Sequence, residues 1–375
     1  MEFFKPTLFI DFMKYRRLSV TLSFALSFAS IGAWFYPGPT FGIDFKGGTE
    51  VEMAFKQPVS SEELRAAVEG LGYTRPDVVG VGGSDTRYIV RVMQVSALSE
   101  AQVGRIRDRL HSALGQTKVE DMKVSPGGDK ISLRLSAPVE LDAINHALEA
   151  AGAKVRAVVP FGRNEDHRYE ATLIGTGDKL VAGLNGKLGK RAPEHPLRVE
   201  WVGPKAGAQL RDAALKSILY AMALILVYVA FRFDLRFAPG GVIALAHDAV
   251  ITIGVYIVLR KEITLATVAA VLTVIGYSVT DTIVIYDRIR ENMQKMRGAS
   301  LSHLINVSAS QTLSRTVMTS MVTMIAITGF FVWGTPVIKD LVFALYVGFA
   351  VGTYSSIFVA APMTEWLDQR FFRKA

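Results

Sequence analysis

Six stretches of the chain are apolar for long enough to cross a hydrocarbon layer about 30 Å thick: residues 18–35, 215–231, 238–259, 265–286, 316–333 and 341–363. Between the first two lies a segment of different texture, about residues 40–211, where short alternations predict strands and three-to-four-residue periods predict helices. Residues 49–55 (TEVEMAF) alternate as a half-buried strand. Residues 60–72 open with a serine cap, carry Glu63 three residues on, and place Leu64, Ala67, Val68 and Leu71 on one helical face. Residues 77–83 and 87–93 predict a strand pair around Gly82-Gly83. Ser99 caps a second amphipathic helix that Gly115 stops, and residues 119–124 form the next strand. The order is βαββαβ, a ferredoxin-like arrangement.

The same order then recurs. A strand at 130–136 precedes a helix at 139–152, with Ile144, Ala147, Leu148 and Ala151 on one face. Strands at 154–160 and 167–175, a glycine-punctuated helix at 177–189 and a strand at 197–203 complete it. Pro126-Gly127-Gly128 makes a natural joint. The expected α+β segment therefore holds two tandem units, residues 40–125 and 129–203, between a first span at 18–35 and a bundle at 212–363.

Half of the residues are hydrophobic, and the formal charge of +8 would suit a nucleic-acid partner were it not for its placement. Basic residues gather at Lys14, Arg16 and Arg17, at Arg232 and Arg236, at Arg288, Arg290, Lys295 and Arg297, and at Arg370, Arg373 and Lys374. With six spans these all fall on one side, which the positive-inside rule makes cytoplasmic. Arg260-Lys261 is the small exception. Both termini, residues 1–17 and 364–375, are then expected inside, and the α+β segment outside. The edge Trp34-Phe35-Tyr36-Pro37 lacks a small-x-small cleavage pattern, so the first span is expected to stay as an anchor. The chain has no cysteine, so the external segment must fold without disulfides.

Candidate chemistry starts with Asp281, a carboxyl group inside the fourth apolar run, where ionised groups are expensive and usually functional. Thr273, Tyr277 and Asp281 recur every fourth residue, as do Arg315, Thr319 and Thr323 on the fifth run and Asp248, Thr252 and Tyr256 on the third. Such stripes are expected to face one another or water, because acyl chains would leave them unsatisfied. Arg315 is expected to begin the fifth helix at the depth of Asp281. The pair is open to two readings: a structural ion pair, or a carboxyl that gains and loses a proton against a guanidinium that does not. His247 beside Asp248 is either a satisfied histidine or a contributor to the same relay. Neither metal-ligand spacing nor a phosphate-cradling glycine loop occurs. Asp281 and Asp287 are six residues apart, on different helix faces, so the two-carboxylate arrangement of an intramembrane aspartyl protease does not form.

Several motifs resemble those of the SecF family of the bacterial Sec export machinery: Phe41-GIDFKGGT, Arg198-VEWVGPKAGAQL, His247-Asp248, Gly276-YSVTDTIVIYDRIREN and Asn306-VSASQTLSRTVMTS. In the related SecD family the first signature is closer to GLDLQGG, which residues 42–48 do not match. The resemblance implies a six-helix half bundle of the resistance-nodulation-division type, paired with SecD in the inner membrane. It implies a non-enzymatic subunit that couples proton flow to late steps of preprotein export through SecYEG, alongside SecA, with protons as the coupling ion and no other cofactor. The external domain would hold unfolded preprotein. Asp281 and Arg315 take the places of the family's relay pair. From their helical spacing and neighbours His247, Asp248, Tyr277, Thr280 and Thr319 are candidate support for that relay, and Gly42, Asp44, Lys46, Gly47 and Gly48 are expected to shape the junction between membrane and external domain. Thr280 stands where asparagine is common, and the external segment has room for two units where the family usually has one. A proton-coupled exporter of lipids or small molecules on the same bundle is the alternative, and a scaffold that never titrates is a third.

Overall fold

The computed structural model describes residues 9–372, apart from 82–83, 97, 115–116, 164–165 and 234–235. The expected turn at Gly82-Gly83, the stop at Gly115 and the basic Arg373 and Lys374 lie outside the described residues. In chain order the first elements are α1 (Arg16–Phe35), β1 (Thr40–Phe41), α2 (Ile43–Lys46), β2 (Gly48–Ala54), α3 (Ser61–Glu69), β3 (Asp77–Gly80), β4 (Arg87–Val92), α4 (Glu100–Ala113) and β5 (Val119–Val124). Then come β6 (Lys130–Leu135), α5 (Leu141–Ala150), β7 (Val155–Pro160), β8 (Arg168–Leu173), α6 (Thr176–Leu188) and β9 (Pro196–Val202). The remainder is α7 (Pro204–Arg232), α8 (Ala238–Val258), β10 (Glu262–Ile263), α9 (Leu265–Lys295), α10 (Leu301–Trp333), α11 (Pro336–Ser355) and α12 (Ala361–Leu367), with a π-helical turn at Ser356–Ala360. Contacts divide the chain into two compact units, Ile43–Arg211 and the rest.

The α/β unit holds two four-stranded sheets, ordered β3-β4-β2-β9 and β5-β6-β8-β7, with every neighbouring pair antiparallel. Leu64 and Val68 of α3 and Leu180 and Leu184 of α6 pack on Val51, Met53 and Val90 of the first sheet. Ile106 and Leu110 of α4 and Ile144 and Leu148 of α5 pack on Ile131, Leu133 and Ala171 of the second. The expected tandem division at 40–125 and 129–203 is therefore corrected. α4 and β5 leave the first unit for the second sheet, while α6 and β9 return to the first. One βαββαβ unit, β2-α3-β3-β4-α6-β9, carries the other inserted after β4. In the insert the same fold is entered at its second helix, so α4 and β5 precede β6 in sequence.

The cause is local. Amphipathic periodicity says that a strand has one buried face but not which sheet receives it. The glycines that make α6 look weak are its tightest contacts: a Cβ on Gly177 would lie 2.6 Å from Val199 Cγ2 of β9, and one on Gly183 2.6 Å from Leu71 Cδ1 beyond α3. Helix starts are as read. The Ser60 hydroxyl accepts the Glu63 amide, and Ser99 with Gln102 closes a full capping box.

Among the described residues six helices are long and apolar enough to cross a membrane. Three are longer than hydropathy suggests: α7 starts at Pro204, α9 continues to Lys295, and α10 starts at Leu301. Arg315 therefore does not begin the fifth helix, as expected, but stands near its middle. The stretch before it is too polar for a hydropathy window, yet it buries Leu304, Ile305, Ser308 and Thr312 on one helical face. Close packing follows small residues: Gly254 of α8 faces Ser30 of α1, and Gly348 of α11 faces Val274 of α9, both with no room for a Cβ. The N-terminal turn is pinned to α10, with the Met13 amide donating to Asn306 Oδ1 (2.9 Å) and Asn306 Nδ2 to Asp11 (2.7 Å).

Candidate functional site

The fourth and fifth spans do bring their polar stripes together. Tyr277, Thr280 and Asp281 of α9 line one cleft of about 500 Å³ with Arg315, Thr319 and Thr323 of α10. Asp281 is only 6% exposed, and its Oδ2 is buried without a hydrogen-bond partner among the described residues. Arg315 is exposed on the cleft, and no salt bridge joins it to Asp281 among the described residues. Tyr277 bridges the two helices through its hydroxyl, 3.4 Å from Thr323 Oγ1 and 3.5 Å from Ser320 Oγ, with its ring 4.3 Å from that of Phe349. Thr280 and Thr319 turn back to their own helices, donating to the carbonyls of Gly276 and Thr316. Thr273 does likewise with Ala269 and stays exposed.

The third span does not face this cleft. Asp248 is fully buried and is met by Ser278 of α9 (Oγ to Oδ2, 2.5 Å), Ser355 of α11 (Oγ to Oδ2, 2.8 Å) and His247 (Nδ1 to Oδ1, 3.0 Å). Thr252 donates to the Asp248 carbonyl, and Tyr256 donates to the Asp340 carbonyl. Sequence reading placed the sixth span but missed its polar contribution to these networks. Ser355 reaches Asp248, and Thr353 meets Ser320 at 2.7 Å. The available signal was the run Thr353-Tyr354-Ser355-Ser356 inside an otherwise apolar stretch.

The junction motif divides between the two units. The Gly42 amide donates to Ile263 O (3.0 Å), continuing the β1–β10 pairing, and a Cβ there would meet Thr264 Cγ2 at 2.8 Å. Asp44 and Lys46 lie on the one-turn α2. Gly47 has φ +76° and would place a Cβ 2.9 Å from the Pro204 backbone; Gly48 has φ +125°, with Val92 O at 2.6 Å. Both positions need glycine twice over, for backbone conformation and for space.

Residues 188–370 match the family described as "Protein export membrane protein SecD/SecF, C-terminal", and residues 33–59 match the "SecD/SecF GG Motif". The first contains His247, Asp248, Asp281 and Arg315, and the second the glycines of the junction. Six spans with these motifs define a SecD/SecF-type export membrane protein. Over 99% of its length the chain is 33% identical to 95% of the SecF translocase subunit of Koribacter versatilis. It is 33% identical to that of Pseudomonas aeruginosa, covering 96% of this chain and 92% of the relative. A crystal structure of SecDF from Thermus thermophilus superposes with a TM-score of 0.67 at 28% identity, over 98% of this chain and 40% of that one. The chain thus spans less than half the length of that SecDF protein. It belongs to the SecF family, and its role is that of an accessory membrane subunit of the Sec translocase. The insert, α4 to β8, lies in the stretch 60–187 that neither family match includes.

Proposed function

We propose that this subunit pairs with SecD in the bacterial inner membrane and uses the proton motive force to promote late steps of preprotein export through SecYEG. A SecDF relative that fuses the two partners supports the pairing, because its SecF-like part is 38% identical to 66% of this chain. Both termini face the cytoplasm in this reading, and the α/β unit on the other side holds unfolded preprotein emerging from SecA-driven translocation.

One observation carries the proton step: the Asp281 carboxyl is buried, its Oδ2 has no partner among the described residues, and it shares a cleft with Arg315. A neutral acid tolerates that position, whereas a carboxylate there draws the nearest cation. Arg315 keeps its charge throughout, so each proton taken up or released by Asp281 switches the attraction across the cleft off or on. The two helices then have two preferred arrangements, which proton entry and exit on opposite sides turn into a cycle.

The test uses inverted membrane vesicles with SecA and ATP, measuring the increment in export that a proton gradient adds. Asp281→Asn imitates the protonated acid, and Arg315→Ala leaves the carboxylate without its counter-charge. Each is expected to lose the increment while ATP-driven translocation by SecA continues. If Asp281→Asn inserts normally and keeps the full response to the gradient, the relay is wrong.

A further inference from the structure

We propose that His247 and Asp248 form a second proton-binding site, in which His247 Nε2 takes the proton and Asp248 positions the ring and balances its charge. The inference rests on the proton-coupled reading above and deepens it.

The geometry starts from Asp248. Both serine hydroxyls donate to Oδ2, the pattern expected of an ionised, acceptor-only carboxylate. His247 Nδ1 must then carry the hydrogen that points to Oδ1. In a neutral ring that tautomer leaves Nε2 as a bare lone pair. Nε2 is buried and has no hydrogen-bond partner among the described residues, an arrangement that calls for an explanation. Taking up one proton there converts a neutral ring beside a carboxylate into an imidazolium–carboxylate pair, and the net charge of the dyad goes from −1 to zero. No other group changes covalency.

The surroundings suit such a site. The partners from neighbouring spans, Ser278 and Ser355, are neutral. The titratable groups flanking them on their own helices are Tyr277 and Asp281 on α9 and Tyr354 on α11. The first span, also packed on α8, buries Ser19, Ser23, Ser30 and Ala33, none of them charged. The short α12, which packs on α8 as well, carries Glu365, whose charge is met by Arg16 of α1 at 2.9 Å. Ser355 is poised between two acceptors, Asp248 Oδ2 at 2.8 Å and Gly352 O at 3.2 Å, and its single hydrogen serves one at a time. It is also the last residue of α11 before the π-helical turn, a backbone irregularity frequent at functional sites. A chain of hydroxyls, Tyr277–Ser320–Thr353, runs from the Asp281 cleft to the same stretch of α11.

The direct test is solid-state NMR of the full chain in lipid bilayers with ¹⁵N-labelled histidine, the His247 signals being assigned by their loss in His247→Asn. Between about pH 8 and pH 5, the range in which histidine changes charge, His247 is expected to pass from a single Nδ1-protonated tautomer to an imidazolium. The same change is expected in Asp281→Asn. A ring that stays neutral and in one tautomer across that range overturns the proposal. In the vesicle assay His247→Asn is expected to lose the gradient-driven increment of export, and full retention of that increment also overturns it. The two readings fail separately: a full gradient response in Asp281→Asn sinks the relay at Asp281, whereas a silent His247 sinks only this second site.

Discussion

The six apolar runs read from the sequence contain two carboxyl groups, Asp248 and Asp281, and their surroundings differ in kind. Asp248 is sealed and triply bonded, whereas Asp281 is bare on one oxygen and opens on a cleft. Both were legible in the sequence, because a carboxyl in an apolar run is rare. Which of them is satisfied was not, because Ser278 and Ser355 are ordinary serines until folding brings them to one acceptor. Removing either hydroxyl takes a donor from a buried charged group, worth about 1.5–3 kcal/mol. Ser278→Ala and Ser355→Ala are each expected to destabilise the purified protein by that order. The double variant should depart from the sum of the two, because both donors serve one oxygen. Thermal unfolding in detergent reads this, and strict additivity would argue against a shared acceptor. The junction glycines make a second residue-scale case. Gly47→Val and Gly48→Val force a β-branched side chain into left-handed backbone and against backbone atoms that cannot yield, at a cost of about 1–3 kcal/mol for the backbone alone. Export is expected to fall while membrane insertion persists, and wild-type export in both variants would reduce the motif to a plain turn.

At the scale of elements, periodicity located nearly every helix and strand yet assigned four of them to the wrong sheet. The strand patterns of β5 and β9 are both amphipathic, and nothing in an amphipathic pattern names its partner. What decides is long-range fit: Gly177 against Val199 and Gly183 against Leu71 draw α6 back across the insert to the first sheet. Hydropathy failed differently at α10, whose first half is a polar-faced helix that buries only one stripe. The nested arrangement predicts which fragments fold. Among the described residues, the core of the second sheet draws only on those from Leu98 to Leu173. A fragment spanning 98–175 therefore contains a whole ferredoxin-like unit, small but with its own core. It is expected to unfold cooperatively on heating and to give a dispersed amide spectrum. The fragment 129–203 lacks α4 and β5 and carries α6 and β9 without their sheet, so it is expected to remain unfolded. The reverse result would restore the tandem division.

At the scale of the whole molecule, orientation decides the direction of any proton cycle. Asp281 lies about 24 Å along α9 from Leu265 and about 21 Å from Lys295 at the usual rise, so helix position favours neither side. Charge does. The α9–α10 turn is flanked by Arg288, Arg290, Lys295 and Arg297, whereas the α8–α9 connection offers only Arg260 and Lys261. A bias of that size in short loops sets the topology of a bundle. The α9–α10 turn is therefore expected in the cytoplasm and the α/β unit outside, so that a gradient of normal sign loads Asp281 from the side of the α/β unit. The chain has no cysteine, which makes the expectation directly readable without a background to remove. Gln294→Cys, exposed near the end of α9, and Glu149→Cys, exposed on α5, place one thiol on each expected side. In intact spheroplasts an impermeant maleimide is expected to label Glu149→Cys and to reach Gln294→Cys only after the membrane is opened. Labelling of Gln294→Cys without permeabilisation would invert the bundle. The proton would then enter where the proposed cycle must release it, and Asp281 could not draw work from the gradient in the direction that export requires.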